Sequence, residues 1–283
     1  MTTRILFILI ITCFLGTGCN LINPKEDIPT YVHIDSFTFT SANPGLTGTS
    51  RQDINSVFAY LDGEPLGVYE LPADIPVLIN GTKELQLAPG VNEQGLNDFK
   101  LSYPLFAFYN TNITADPGKT ITVNPETKYI DDLKYWRTDF ESGNTFQKLS
   151  GDTSVRSVSG ADSVFEGGES GGIFLNANTY KNAEAFTDIS IFPGQNGYLE
   201  FHYKSTLSFA VGMLAALPDG SIQPVYLAGV KPKGEWNKFY LNISQFTSAY
   251  PNAQKFAVIL RTELENGQTD GYVLLDNIKV ISY

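Results

Sequence analysis

The chain has 283 residues and a formal net charge of −11, an acidic balance that argues against a nucleic-acid partner and against docking on anionic lipid. Its two cysteines, Cys13 and Cys19, both fall in the first nineteen residues. If that stretch is a leader and anchor, no thiol remains for a disulfide, a metal site or a nucleophile, and stability has to come from burial, which this length supplies as two domains or one large one. The 19 Phe and 15 Tyr, with few runs of helix-favouring residues, point to β-structure.

In chain order, Arg4 comes first as a positive flank, and Ile5 to Leu15 is an apolar run shorter than the ~20 residues a membrane-spanning helix needs. Gly16, Thr17 and Gly18 then precede Cys19. This resembles the lipobox of bacterial lipoprotein signals, except that Gly16 stands where the family prefers Leu. The resemblance implies that residues 1–18 are removed, that Cys19 carries lipid, and that residues 19–30 form a tether to the outer membrane. An ordinary secretory signal and an uncleaved anchor are the alternatives. Loss of Arg4 with the leader takes the charge from −11 to −12. Pro24 and Pro29 forbid a continuous helix in the tether. Lys25-Glu26-Asp27 resembles the short charged signal that sends Bacteroidetes-type lipoproteins to the cell surface; a plain solvated tether, with the protein on the periplasmic face, reads the same residues equally well.

Residues 31–129 read as a first β-unit. YVHIDSFTFT alternates around a register shift, with Val32, Ile34, Phe37 and Phe39 apolar, and is the first strand. Asp62-Gly63 between two apolar-alternating runs predicts a tight hairpin, because both turn positions need φ > 0. Short strands follow at ADIPVLI and KELQLAPGV, then YPLFAFYNTNITA and KTITVNP on either side of Pro117-Gly118. The hairpin at Tyr60 to Gly67, the Leu71-Pro72 step and Leu87 to Gly90 resemble PEGA-type surface β-domains, which implies an Ig/PEGA-like sandwich.

Residues 130–283 read as a second unit. Asp139-Phe140-Glu141 with Ser142-Gly143 near its start, and YVLLDNIKVI (Tyr272 to Ile281) at its end, resemble the opening and closing strands of galactose-binding-like jelly rolls. GYLEFHYKS and SFAVGMLA are expected to pair around a short turn, GEWNKFYLNIS and KFAVILRTEL to supply later strands, and Ser244 to Tyr250 to form one helical turn. The expected fold is all-β: two tandem β-sandwich domains, the second a jelly roll. Such folds host lectins, accessory modules and structural domains alike, so fold does not give function.

No nucleophile elbow, zinc-protease motif or phosphate-binding loop appears. His33 and His202 sit inside strand patterns in different units, where packing is their ordinary role. Glu200, Glu263 and Glu265 fall on or beside strands and keep a pair of carboxylates for glycoside hydrolysis in view. The jelly-roll resemblance implies a structural Ca²⁺ between Glu141 and Asp276, whose hard oxygens suit that ion. A glycan site needs exposed aromatic faces with polar side chains, for which Tyr180, Tyr203, Tyr226, Trp236 and Arg261 are the candidates, each with core packing as the alternative. The acidic loop Gly160 to Gly172 either lines a binding edge or connects strands. Leu101 to Tyr109 is strongly aromatic; if Phe106, Phe108 or Tyr109 stays exposed it forms a patch for a protein partner, and otherwise it is a buried strand.

These features lead to a non-catalytic lipoprotein acting as a binding or accessory subunit of an outer-membrane assembly. The alternative is a glycan-binding surface lipoprotein that holds polysaccharide on its second unit. A glycosidase or esterase of unfamiliar type is a weaker third.

Overall fold

The computed structural model describes residues 26–41, 43–96, 99–189 and 196–283; Cys13, Cys19 and Lys25 lie outside the described residues. The chain is all-β, and among the described residues no helix is long and apolar enough to cross a membrane.

The first unit comprises β1 (Thr30–Ile34), β2 (Thr38–Phe39), the helical turn α1 (Pro44–Thr47), β3 (Ser56–Leu61), β4 (Glu64–Glu70), β5 (Ala73–Val77), β6 (Thr82–Asn92), β7 (Lys100–Ser102), β8 (Tyr109–Thr114), β9 (Thr120–Thr122) and β10 (Glu126–Thr127). One sheet runs β5-β1-β9; the other runs β4-β3-β6-β7, with β8 also on β6. Val32, Ile34, Ile75 and Val77 from the first pack against Val57, Leu85, Leu87 and Ile113 from the second, as the two-residue side-chain period of each strand requires. The expected first strand is split, because β1 pairs with β5 and β9 whereas β2 pairs with β10. Asp62 and Gly63 take φ of 49° and 83° and join β3 to β4. The Asp62 carboxylate accepts the Glu84 N–H at 2.9 Å and the Lys83 ammonium at 2.6 Å, which ties the hairpin tip to β6.

The second unit comprises β11 (Lys134–Thr138), β12 (Gln147–Gly151), β13 (Arg156–Val158), β14 (Ser170–Asn176), β15 (Asn182–Ile189), β16 (Gly197–Ser205), β17 (Phe209–Ala216), β18 (Ile222–Val230), β19 (Lys233–Asn242), the turn α2 (Ser244–Ala249), β20 (Lys255–Glu263) and β21 (Asp270–Ser282). A six-stranded sheet runs β13-β14-β21-β16-β19, with β11 alongside β21, and a five-stranded sheet runs β12-β15-β20-β17-β18. Between them lies one apolar core in which Leu199, Phe201 and Phe239 meet Val211, Met213 and Leu260. This is a β-sandwich of jelly-roll type. Truncation of a buried phenylalanine such as Phe201 costs about 3–5 kcal/mol. Two expectations need correction. β16 and β17 do not pair; β16 sits between β21 and β19 in one sheet, and the chain then crosses at 206–208 to place β17 between β20 and β18 in the other. Asp139-Phe140-Glu141 lies past the end of β11, where Phe140 takes φ 64° and buries its ring in the core.

The outer face of the six-stranded sheet is covered by the first unit. Tyr103, Leu105 and Phe106 turn between β7 and β8 and pack on Tyr198, Tyr240 and Ile281. The aromatic stretch at Leu101 to Tyr109 is therefore neither a continuous strand nor an exposed patch. Phe106 is buried and so closed to a second protein, Tyr109 is half-buried, and Phe108 stays exposed. Beneath them, Glu200 receives the hydroxyls of Tyr103 at 2.7 Å and Tyr129 at 2.9 Å, and faces Lys238 at 2.9 Å and Lys279 at 3.7 Å. Burial alone would raise the Glu200 carboxyl, but Lys238, Lys279 and Tyr103 together hold it below the usual carboxylate range. Among the described residues the five-stranded sheet has no such cover on its outer face, and it is called the open sheet below.

Candidate functional site

Along the open sheet, Ala185, Val211, Met213, Val258 and Leu260 point into the core, so the alternate residues point out. Ala257 and Ile259 of β20 and Leu214 of β17 are outward-facing yet buried, because Leu149, Phe186 and Tyr226 lie against them. Gly212 stands opposite Tyr226 at a register shift, where an added Cβ would meet the Val225 carbonyl oxygen. Small residues in the central strands and aromatic ones toward the flanks give the sheet a low apolar floor.

A polar group closes one end of that floor. Glu184 on β15 is paired across the sheet with Arg261 on β20, which is paired in turn with Ala210 on β17. Tyr226 and Ser150 each donate a hydroxyl to the Glu184 carboxylate. Burial opposes ionisation of Glu184, but the Ser150 and Tyr226 bonds and the Arg261 charge outweigh it and hold the carboxyl below its usual range. Burial and the bond to Glu184 push the Tyr226 hydroxyl well up. Arg261 is exposed, with its guanidinium 3.8 Å from Glu263. Two depressions meet at Arg261 and Glu263: one of about 450 Å³ bordered by Tyr226 and Ala210, the other of about 340 Å³ bordered by Ser150, Asn182 and Glu184.

The candidates read from the sequence are dispersed. Tyr226 and Arg261 come together here. Tyr203 belongs elsewhere, since it points between the sheets and packs edge-on to Phe209 in the core. Trp236 is on β19, in the other sheet, against Phe165 at 5.3 Å. Tyr180 is exposed in the turn between β14 and β15. Glu184, Ser150 and Asn182 were not among the candidates; the alternation of Ala183, Glu184, Ala185 and Phe186 is the signal that puts Glu184 on an outer face.

Glu141 and Asp276 border one cavity of about 330 Å³ with Arg137 and Asp139. Each carboxylate is already engaged. Asp276 accepts the Ser170 hydroxyl at 2.6 Å and the Asn277 N–H at 2.6 Å, and Glu141 accepts the N–H groups of Gly168 at 2.8 Å and Glu169 at 2.9 Å. Burial pushes Asp276 up to about 6. Among the described residues no group of three or more His, Cys, Asp or Glu is disposed to hold a metal ion. The pair would supply part of the roughly six to eight oxygens that Ca²⁺ takes, with backbone carbonyls supplying others.

No protein-family model and no curated protein matches the chain. Solved structures do resemble part of it. The enzymatically active domain of bacteriophage CBA120 tailspike protein 4 is 12% identical with a TM-score of 0.38, over 54% of this chain and 20% of its own. A xylan-binding domain from CBM 22 is 13% identical with a TM-score of 0.39, over 54% of this chain and 97% of its own. TmCBM61 in complex with β-1,4-galactotriose is 13% identical with a TM-score of 0.36, over 51% of this chain and 94% of its own.

Proposed function

We propose that this protein is a non-catalytic glycan-binding lipoprotein, held to the outer membrane through Cys19 and facing the cell exterior, which takes polysaccharide on its open sheet. One observation carries the reading: Tyr226, Glu184 and Arg261 converge at the end of an apolar floor, on the sheet face that the first unit leaves uncovered. A sugar ring has an apolar C–H face, which suits the Tyr226 ring and the floor beneath it, and a rim of hydroxyls, which suits charged donors and acceptors set in place. Glu184 is fixed by Ser150 and Tyr226 and accepts hydroxyl protons; Arg261 donates.

Binding without turnover fits the carboxylates better than hydrolysis does. Glycoside cleavage needs one carboxyl held protonated as the acid; Glu184 is held ionised, and Glu200 is sealed beneath the first unit. The accessory-subunit reading rests on the anchor, the two β-units and the lack of a catalytic motif, and it loses Phe106 as a partner-binding residue because that ring is packed within the chain.

The test is native electrophoresis of the full chain through gels containing xylan, β-1,4-galactan, mannan or β-glucan, beside its Tyr226→Ala variant. Retention by at least one polysaccharide that falls about tenfold in the variant is expected, as for truncation of a central aromatic anchor. Equal mobility of parent and variant in every gel removes the proposal.

A further inference from the structure

We propose that the first unit carries a second, separate glycan-contacting surface, formed on the outer face of its larger sheet by Tyr60 and Phe108 with the carboxamides of Gln86, Asn110 and Asn112. It uses no residue of the open sheet.

The strand register builds this surface. Tyr60 on β3 pairs with Gln86 on β6, which pairs with Asn110 on β8, and the next row sets Glu84 beside Asn112. Val57, Ala59, Leu85, Leu87 and Ile113 fill the core from the same strands, so these alternate residues face outward. Ala88 and Phe58 pair in the row on the other side of Tyr60, and Ala88 is buried despite facing out. The Tyr60 and Phe108 rings are near-parallel, 14° apart with centroids at 6.2 Å, and Phe108 is 49% exposed. A phenylalanine left half in water beside an aligned tyrosine, with alanine beneath, presents flat apolar area that the fold itself does not use.

The polar neighbours define what would lie on it. Among the described residues, the side chains of Gln86, Asn110 and Asn112 make no hydrogen bond within the protein. They stand at strand spacing, about 4.8 Å across and about 6.8 Å along the sheet, within the span of two sugar rings. A carboxamide both donates and accepts without charge, which matches hydroxyls. No lysine or arginine stands in these rows; the nearby Lys83 is already committed to Asp62 at 2.6 Å. A phosphate, uronate or acidic lipid would find no cation here. Val68, Phe58 and Ala88 carry the apolar row across to Phe108, and Gln86, Asn110 and Asn112 fill the rows beside it, so an apolar strip lies next to an amide strip, as the C–H face and hydroxyl rim of a sugar require. The chemistry is that of a neutral oligosaccharide.

The experiment uses the same polysaccharide gels, with pectate added as an anionic control. Phe108→Ala and Asn110→Ala should each weaken retention by at least one neutral polysaccharide about fivefold or more. They should do so in the Tyr226→Ala background as well, with cooperative unfolding retained in each variant. Loss confined to Tyr226→Ala overturns this surface and leaves the open sheet standing; loss confined to Phe108→Ala and Asn110→Ala does the reverse. Retention by pectate alone, or by no polysaccharide, overturns it. A stoichiometric protein released from the full chain by Phe108→Ala overturns it too, and makes the surface a protein interface.

Discussion

Tyr103 of the first unit donates its hydroxyl to the Glu200 carboxylate of the second at 2.7 Å, and both side chains are fully buried. The bond is one arm of a closed cluster. Lys279 donates to the Tyr129 hydroxyl at 2.9 Å and to the Thr47 carbonyl at 3.0 Å, and the Tyr240 hydroxyl donates to Gln52 at 3.1 Å while accepting the Asp53 N–H at 3.1 Å. One carboxylate thus serves two fully buried ammonium groups. Such a cluster contributes little net stability, because desolvation offsets most of the attraction, but removing one partner leaves a bare charge.

Glu200→Gln should therefore destabilise the protein by about 3–5 kcal/mol, the usual consequence of stranding a buried charge. Urea unfolding of the full chain measures it. Replacing the three charges together, as Glu200→Leu with Lys238→Met and Lys279→Met, should recover most of the loss. A triple variant as unstable as the single one would mean that the hydroxyl network, not the charge balance, sets the cost.

The same cluster sets a pH dependence. Burial first, and the Lys238 charge next, push Lys279 down to about 7 against the pull of Glu200, while an unfolded lysine titrates near 10.4. Between those values the unfolded chain holds more protons, so this group makes stability rise from about pH 7 toward pH 10. The buried tyrosines are held well above their usual range and oppose the trend only above about pH 10, where unfolded tyrosine ionises. Urea midpoints at about pH 6.5, 8 and 9.5 should climb in the parent and climb less in Lys279→Met, where Lys238, also lowered by burial, keeps part of the rise. A parallel climb in both proteins would assign the dependence to another group.

Local chemistry was legible in the sequence, and long-range pairing was not. Asp62-Gly63 specified its hairpin because φ > 0 at both positions is a property of the dipeptide itself. Tyr226 and Arg261 were legible as outward candidates, and they meet. Glu200, Lys238 and Lys279 occupy polar positions in alternating strands; that a loop about a hundred residues before Glu200 covers them is written nowhere in that alternation. Tyr203 took the core packing that was its alternative: Phe201 and Tyr203 alternate with Glu200 and His202, and alternation alone does not tell which face is the core when both faces are buried. The pairing of GYLEFHYKS with SFAVGMLA failed because a short connection between strands suits a hairpin and a crossing between sheets equally.

Asp276 supplies a prediction of the opposite sign. Burial raises it to about 6, against about 3.9 unfolded. The folded state holds the extra proton between those values, so the stability from this group is complete below about pH 4 and lost as pH rises through 6. Asp276→Asn keeps an oxygen for the Asn277 N–H and offers an amide to the Ser170 hydroxyl, which can rotate to accept it. The variant should be more stable than the parent at about pH 7.5 and equal to it near pH 4. Melting with and without a chelator separates this from calcium: a chelator should leave the parent's Tm unchanged, whereas a fall that Asp276→Asn abolishes would put Ca²⁺ on this carboxylate.

At the open sheet, Tyr226→Phe separates the ring from its hydroxyl. The ring alone keeps the apolar area over Ile259 and Leu214, but Glu184 then loses one of the two hydroxyls that hold it. A single such hydrogen bond is worth about 0.5–1.5 kcal/mol, so glycan affinity by calorimetry should fall severalfold, less than in Tyr226→Ala. The Glu184 carboxyl should also rise toward its ordinary range, because the Tyr226 bond is among the influences that lower it. Carboxyl chemical shifts followed through a pH titration read that directly. If affinity in Tyr226→Phe equals that of the parent while Tyr226→Ala has lost it, the site works by stacking, and Glu184 serves the tyrosine rather than the sugar. If both variants fail alike, an oriented carboxylate is what the sugar requires, and Glu184→Gln should fail with them.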